Sequence, residues 1–197
     1  GKGVRLPATI SLRLSAQGRE VRVRVRAKPD AAMNGVWYPL PLVQEQGECW
    51  LAIAPYGSGL LLPLRADQMP RRWWHLDMPF FGVMSAEKGA GYACIFATPD
   101  DVQMAFQQLG KEKDAPLAAA VQWMPSLRQW RYDREVVYRF VPSGGYVALA
   151  KAYRAYAKET GLLKTLREKA AKKPDVAKLL GAPDVWGAGG LKFCQEA

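Results

Sequence analysis

Residue types suited to holding a sugar crowd together in the run Arg71-Arg72-Trp73-Trp74-His75-Leu76-Asp77-Met78-Pro79-Phe80-Phe81-Gly82. A saccharide offers apolar C–H faces and a rim of hydroxyls. Its site therefore wants an aromatic platform beside a carboxylate, imidazole or guanidinium that can hydrogen-bond outward. All of these lie between Arg71 and Asp77, so Trp73, Trp74, His75 and Asp77 are the candidate substrate-binding residues. The same run also fits a plainer role: a tryptophan and Phe80 and Phe81 in the core, with Asp77-Met78-Pro79 shaping a bend. Trp37-Tyr38 and Trp50 are further aromatic candidates that fit a core better.

Other chemistries find little purchase. Asp100-Asp101 is the only adjacent acidic pair. A glycosidase needs two carboxylates held ~5–5.5 Å or ~6.5–9.5 Å apart, and Thr98-Pro99-Asp100-Asp101 reads instead as a turn or a helix start capped by Thr98. With His75 the only histidine, no histidine-based metal cluster can be built. Gly57-Ser58-Gly59 lacks the nucleophile-elbow pattern, and Gly187-Ala188-Gly189-Gly190 has no Lys-Ser/Thr pair for a phosphate. The three cysteines, Cys49, Cys94 and Cys194, match neither a disulfide framework nor a zinc pattern; Cys49 and Cys94 sit in apolar strand-like runs as small core residues. The expectation is no metal, no cofactor and no catalytic residue in this chain.

These residues must be positioned by strands. Up to about Val141 the apolar period is two. Thr9 to Leu14 alternates, Gln17-Gly18 turns the chain, and Glu20 to Arg26 alternates so strictly that Val21, Val23 and Val25 face a core while Arg22, Arg24 and Arg26 face out. Val36–Val43, Glu48–Ala54, Gly59–Leu64, Gly91–Ala97, Leu117–Trp123 and Glu135–Val141 are further strand candidates, with Gly47 and Pro55-Tyr56-Gly57-Ser58-Gly59 as punctuation. Many short strands without intervening helices predict a mainly β protein, an antiparallel sandwich or barrel.

At Pro142-Ser143-Gly144-Gly145 the period changes. Tyr146, Leu149, Ala150, Tyr153, Tyr156 and Ala157 recur at helical spacing, with Lys151, Arg154 and Lys158 opposite. Tyr146, Leu149, Tyr153 and Tyr156 are expected to pack this helix on the sandwich. Gly161 fits the helix end. Leu162, Leu163, Leu166 and Ala170 give a second helix ended by Pro174, and Pro174–Leu180 a third helical turn closed by Gly181. Ala182–Trp186 reads as a strand and Leu191–Ala197 as the start of a helix behind it, the order in which a βα barrel begins. Trp186 would then stand near the end of the first barrel strand where such barrels place their sites, making it a further substrate-binding candidate.

Charge is unevenly spread. The chain carries 28 basic and 18 acidic residues for a net +10, but nine basic and three acidic residues fall between Lys151 and Lys178, on the connector helices. No helix-turn-helix, zinc-finger or RNP-like pattern accompanies them, so no specific nucleic-acid partner is expected. No apolar run approaches the ~20 residues of a membrane span. The chain opens at Gly1-Lys2-Gly3 without methionine or a leader pattern, which leaves a removed signal and missing upstream sequence as alternatives; an extracytoplasmic setting is favoured over a cytoplasmic one.

The succession of strands, then Gly-Tyr-Val-Ala-Leu-Ala-Lys-Ala-Tyr-Arg-Ala-Tyr-Ala-Lys, then Gly-Leu-Leu-Lys-Thr-Leu-Arg-Glu-Lys, then Leu-Leu-Gly-Ala-Pro-Asp-Val-Trp resembles the domain junction of bacterial glycoside hydrolases. Its likeness is to the α-N-acetylgalactosaminidases of families one hundred and one and one hundred and twenty-nine, and Trp73–Gly82 shares in it. The resemblance implies a galactose-mutarotase-like β-supersandwich ahead of a (β/α)8 barrel that carries the nucleophile and the general acid, neither of which falls on a residue of this chain. It implies a sandwich over residues 1–142, a helical connector over 143–181 and a truncated barrel start over 182–197. The implied partners are a glycan substrate and the chain's own downstream barrel. A free-standing carbohydrate-binding module is the alternative. It requires the connector helices to fold back on the sandwich and the Trp73 segment to be open. A third reading is a polyanion binder using Arg22, Arg24 and Arg26.

Overall fold

The computed structural model describes residues 8–28, 35–39, 41–42, 48–54, 59–69 and 76–182. The chain forms two compact units, residues 1–155 and 156–197. The first is mainly β, with every strand pair antiparallel among the described residues.

The strands are β1 (Ala8–Leu14), β2 (Glu20–Ala27), β3 (Val36–Trp37), β4 (Cys49–Ile53), β5 (Leu60–Pro63), β6 (Phe80–Ser85), β7 (Gly91–Phe96), β8 (Val102–Gln108), β9 (Leu117–Trp123) and β10 (Arg134–Val141). One sheet runs β1-β2-β10-β7-β6-β4-β5 and the other β3-β9-β8. A single apolar cluster draws from both: Val23, Val25, Leu51, Phe81, Val83, Cys94 and Phe96 from the first, Met104, Ala119, Val121 and Trp123 from the second. Two sheets burying one shared face form a sandwich.

The β1–β2 hairpin forms as expected, but only β2 follows the alternation in burial; β1, an edge strand, is exposed along its whole length. Gly18, at φ +67°, makes the turn where a side chain would be strained. Val23 and Val25 are each 3% exposed, while the side chains of Arg22, Arg24 and Arg26 are 34%, 51% and 67% exposed. On β10 the same logic puts Val136 and Tyr138 inward.

Elsewhere the structure corrects the expectation. The strand expected over Val36–Val43 stops after Trp37, because proline at 39 and 41 cannot donate to a ladder. Phe80–Ser85 and Val102–Gln108 are strands that periodicity did not reveal. The first is buried along its whole length, so it lacks the alternation that marks a half-exposed strand. Thr98 caps no helix: its hydroxyl accepts the Glu135 N–H at 2.8 Å and so ties a turn to β10. The Pro55–Gly59 turn lies outside the described residues through its residues 55–58, as do Cys194, the strand expected to end at Trp186 and the helix start over Leu191–Ala197.

Helix α1 (Gly145–Glu159) begins on the outer face of the larger sheet. Leu149 is fully buried. A Cβ on Gly82 of β6 would stand 2.6 Å from Leu149 Cδ1, so glycine is what lets the helix approach. Tyr153 stacks on Phe80 with ring centroids 4.4 Å apart. Tyr156 is buried, whereas Tyr146, expected on the packed face, is 56% exposed.

In the second unit α2 spans Leu166–Lys172. Leu162 and Leu163 precede it, because Thr165 and Glu168 form a reciprocal capping box that fixes the helix start. Pro174–Leu179 is a 3-10 turn. No helix among the described residues is long and apolar enough to cross a membrane.

Cys94 is fully buried on β7, and burial pushes its thiol far above the ordinary cysteine range. In native protein at pH 8, iodoacetamide should leave Cys94 unmodified and should label it after unfolding, read by intact-mass analysis. Labelling at the unfolded rate would show that β7 opens locally.

Candidate functional site: a cleft around Asp77

Asp77 is the one residue of the proposed sugar platform that falls among the described residues; Trp73, Trp74 and His75 lie outside them, and so does Trp186. The bend Asp77–Pro79 leads into β6 and is anchored at both ends. The Asp77 N–H donates to Ala54 O at 2.9 Å, and Pro79 O accepts from the Phe96 N–H at 2.8 Å. Ala54 directly follows β4, so the bend is clamped to the edge hairpin β4–β5 on one side and to β7 on the other.

An open cleft of about 570 Å³ lies here. Its floor and walls are Ala52, Ile53, Leu60, Leu61, Met78 and Phe80, and its polar groups come from Asp77 and Tyr146. Asp77 is exposed, Met78 is 47% exposed and Tyr146 56%. An apolar trough with few polar groups at its rim is the general form of a small-ligand site. A carboxylate can accept from sugar hydroxyls, and a phenol ring can stack on a C–H face while its hydroxyl donates.

Sequence reasoning missed Tyr146. Its spacing with Leu149 and Tyr153 looked like a common buried face. In an α-helix positions i and i+3 share a face only approximately, and Tyr146 stands at the first turn, where the helix meets the cleft. Phe80 is 6% exposed, in keeping with the plainer core role of its segment, and it also forms part of the cleft wall. Trp50 is half-buried on β4 and Trp37 is 44% exposed.

The adjacent acids Asp100 and Asp101 lie in a turn. Asp101 adopts φ +53° and turns its Oδ2 toward Ser126, the Tyr132 hydroxyl at 2.7 Å and Arg134 Nη1 at 3.3 Å. The Ser126 and Tyr132 hydrogen bonds, then Arg134, hold its carboxyl below the usual range. It is therefore ionised at neutral pH. Arg134 itself is fully buried, 3.7 Å from the Tyr132 ring centroid and 5.2 Å from that of Trp130. This is a structural anchor joining the turn after β7, the turn after β9 and β10.

No protein-family model matches the sequence, and no curated protein does. Solved structures of the α-N-acetylgalactosaminidase NagBb from Bifidobacterium bifidum are similar to it. In complex with GalNAc that enzyme superposes with a TM-score of 0.72 at 24% identity, over 90% of this chain and 30% of its own. The ligand-free form gives 0.68 over 86% and 29%. The chain thus spans about 30% of the length of that enzyme. It shares its fold with one portion of an α-N-acetylgalactosaminidase, the class of enzyme that the wording of Gly144–Gly187 resembles.

Proposed function

We propose that this chain is the non-catalytic, galactose-mutarotase-like β-sandwich portion of a glycoside hydrolase acting on glycans, with α-N-acetylgalactosaminides as the substrate class. The observation that carries this reading is the fold shared over 90% of the chain with part of NagBb. On this reading residues 1–142 form the sandwich, 143–181 connect, and 182–197 open a catalytic barrel that the sandwich packs against and shapes. On the same reading Asp77, Trp73, Trp74, His75 and Trp186 are the residues proposed to bind the substrate. Asp101 supports the non-catalytic assignment, since its only acidic chain neighbour is Asp100 and its own oxygen is engaged by Ser126, Tyr132 and Arg134.

The purified chain should not hydrolyse p-nitrophenyl α-N-acetylgalactosaminide. The reading frame extended past codon 197 should encode a barrel-sized domain and should confer turnover. In that longer protein, Asp77→Asn should lower kcat/KM by about tenfold, the loss of one charge-assisted hydrogen bond to substrate. Turnover by the short chain that vanishes on Asp77→Asn would overturn the assignment.

A second reading, a free-standing carbohydrate-binding module, is favoured by one observation: the Asp77 cleft is open and large enough for a monosaccharide. Calorimetric titration of the chain with N-acetylgalactosamine separates the two. Saturable binding abolished by Asp77→Asn, combined with an immediate stop codon, makes the module the better description.

A further inference from the structure

The outward face of β1, β2 and β10 carries Arg13, Arg22, Arg24, Arg26 and Arg139 beside Glu20, Glu135 and, just before β10, Asp133. The strand register arranges these charges in rows. Arg24 lies between Ser11 and Glu135, Arg139 faces Glu20, and Arg13 faces Arg22, whose neighbour on β10 is Val137. Four of the five arginines have acidic partners. Arg26 pairs with Asp133 at 2.9 Å, Arg24 with Glu135 at 2.6 Å, Arg139 with Glu20 at 2.7 Å, and Arg22 with Glu20 at 2.8 Å and Glu135 at 3.4 Å.

Arg13 makes no ion pair with a described residue, and the residue directly across from it is another arginine. Like charges directly opposed on neighbouring strands destabilise a sheet. Slippage does not relieve the conflict, because seven consecutive pairs from Ala8↔Ala27 to Leu14↔Val21 fix the register without a bulge. Glu135, only 13% exposed, already receives both Arg22 and Arg24. Ser11, Arg13, Arg22, Arg24 and Glu135 line a depression of about 310 Å³. It holds three guanidinium groups, one carboxylate and one hydroxyl; Arg22 and Arg24 have carboxylate partners in Glu20 and Glu135, which leaves Arg13 as its guanidinium without one among the described residues.

We propose that this depression is an oxyanion-binding site, with Arg13 as its primary ligand and Arg24 and the Ser11 hydroxyl beside it. A planar guanidinium offers paired donors that match two oxygens of a sulfate or carboxylate. A bound oxyanion would supply the acid missing from the Arg13–Arg22 row. The acidic group of a sulfated saccharide is the source consistent with the glycan reading above, on which that part of the inference rests; free inorganic sulfate presents the same chemistry. The site stands on the sheet face carrying the arginines and uses none of the residues of the Asp77 cleft.

The test is an NMR titration of the chain with sodium sulfate against sodium chloride at matched ionic strength, and with galactose 6-sulfate against galactose. Sulfate should shift the amides of Ser11–Leu14 and Arg22–Arg24 and the Arg13 Nε–H resonance saturably, and chloride should not. Arg13→Gln should weaken that binding by at least about fivefold and leave the fold intact, since Arg13 is exposed on an edge strand. Asp77→Asn should leave it unchanged. Tighter binding of galactose 6-sulfate than of sulfate assigns the saccharide source. Equal affinity overturns the saccharide part and retains the anion site. Shifts that chloride reproduces, or that survive Arg13→Gln, overturn the site itself. Because the sulfate arm needs no glycosidase activity, failure of the hydrolase assignment leaves that arm interpretable.

Discussion

Asp101→Ala should destabilise the first unit by about 3 kcal/mol, read as a lower urea midpoint. Removing one partner of a buried ion pair costs about 3–5 kcal/mol, because the other charge stays buried without compensation. Arg134 is fully buried, but the Asp101 side chain is 33% exposed, so water can take up part of its role, which sets the expectation at the lower end. The carbonyls of Asp100 and Met124 and the Ser126 hydroxyl would still accept from Arg134, yet none of them carries a charge. Arg134→Met with Asp101→Asn should cost less than the sum of the single changes, since the double variant leaves no buried charge behind. Equal and additive losses would show that the two residues act separately.

The same carboxyl gives stability a pH dependence. Hydrogen bonds from Ser126 and Tyr132, then Arg134, lower its pKa in the folded state. Near and below the unfolded-chain value the unfolded state then binds more protons than the folded state. The stabilisation is present above the unfolded-chain pKa and disappears as pH falls through the lower, folded one. Urea midpoints measured from pH 6 downward should fall more steeply for the wild-type chain than for Asp101→Asn. Parallel profiles would place the acid sensitivity elsewhere.

Leu149→Ala should cost about 2–5 kcal/mol, the range for truncating a large buried aliphatic side chain. The loss should be local in character. Leu149 lies over Gly82 and is flanked by the stacked pair Phe80–Tyr153, so it is the plug that seats α1 on β6. Amides from Tyr146 to Ala152 should lose hydrogen-exchange protection while β7 and β10 keep theirs. Gly82→Val tests the same contact from the other side. Its added methyls would have to displace Leu149, at a cost of about 1–3 kcal/mol. Both changes should also disturb the Asp77 cleft, because Tyr146 and Ala150 form its helical wall. Unchanged protection of α1 in Leu149→Ala would mean that the helix is held by its other contacts, among them the Tyr153–Phe80 stack and the Arg139–Ala152 hydrogen bond.

By itself the sequence determined whatever depends on a local period. The strict alternation from Glu20 to Arg26 set the face of every residue in β2, since a strand with one buried side tolerates only one register. The helical spacing after Gly145 set the existence of α1, and the run Gly91–Phe96 set β7. Turn chemistry did the same at Gly18. Phe80–Ser85 and Val102–Gln108 are the strands that periodicity did not reveal. Phe80–Ser85 is buried on both faces and shows no alternation, so the sequence did not distinguish it from a hydrophobic loop.

Tertiary structure decided the rest, for a common physical reason: partners distant in sequence. Arg134 reads as one more surface arginine, and only the convergence of Asp101, Ser126 and Trp130 makes it a core residue. Asp77 meets in its cleft not only its sequence neighbours Met78 and Phe80 but also groups from β4, β5 and α1. Tyr146 was legible as a helical residue and not as a cleft wall, because its exposure follows from where the first turn of α1 lands on the sheet. Arg13 has no charge partner among the described residues because β1 pairs with β2 in a register that puts it beside Arg22. Periodicity fixes which way a side chain points. What it meets there is set by the packing of segments far apart in the chain.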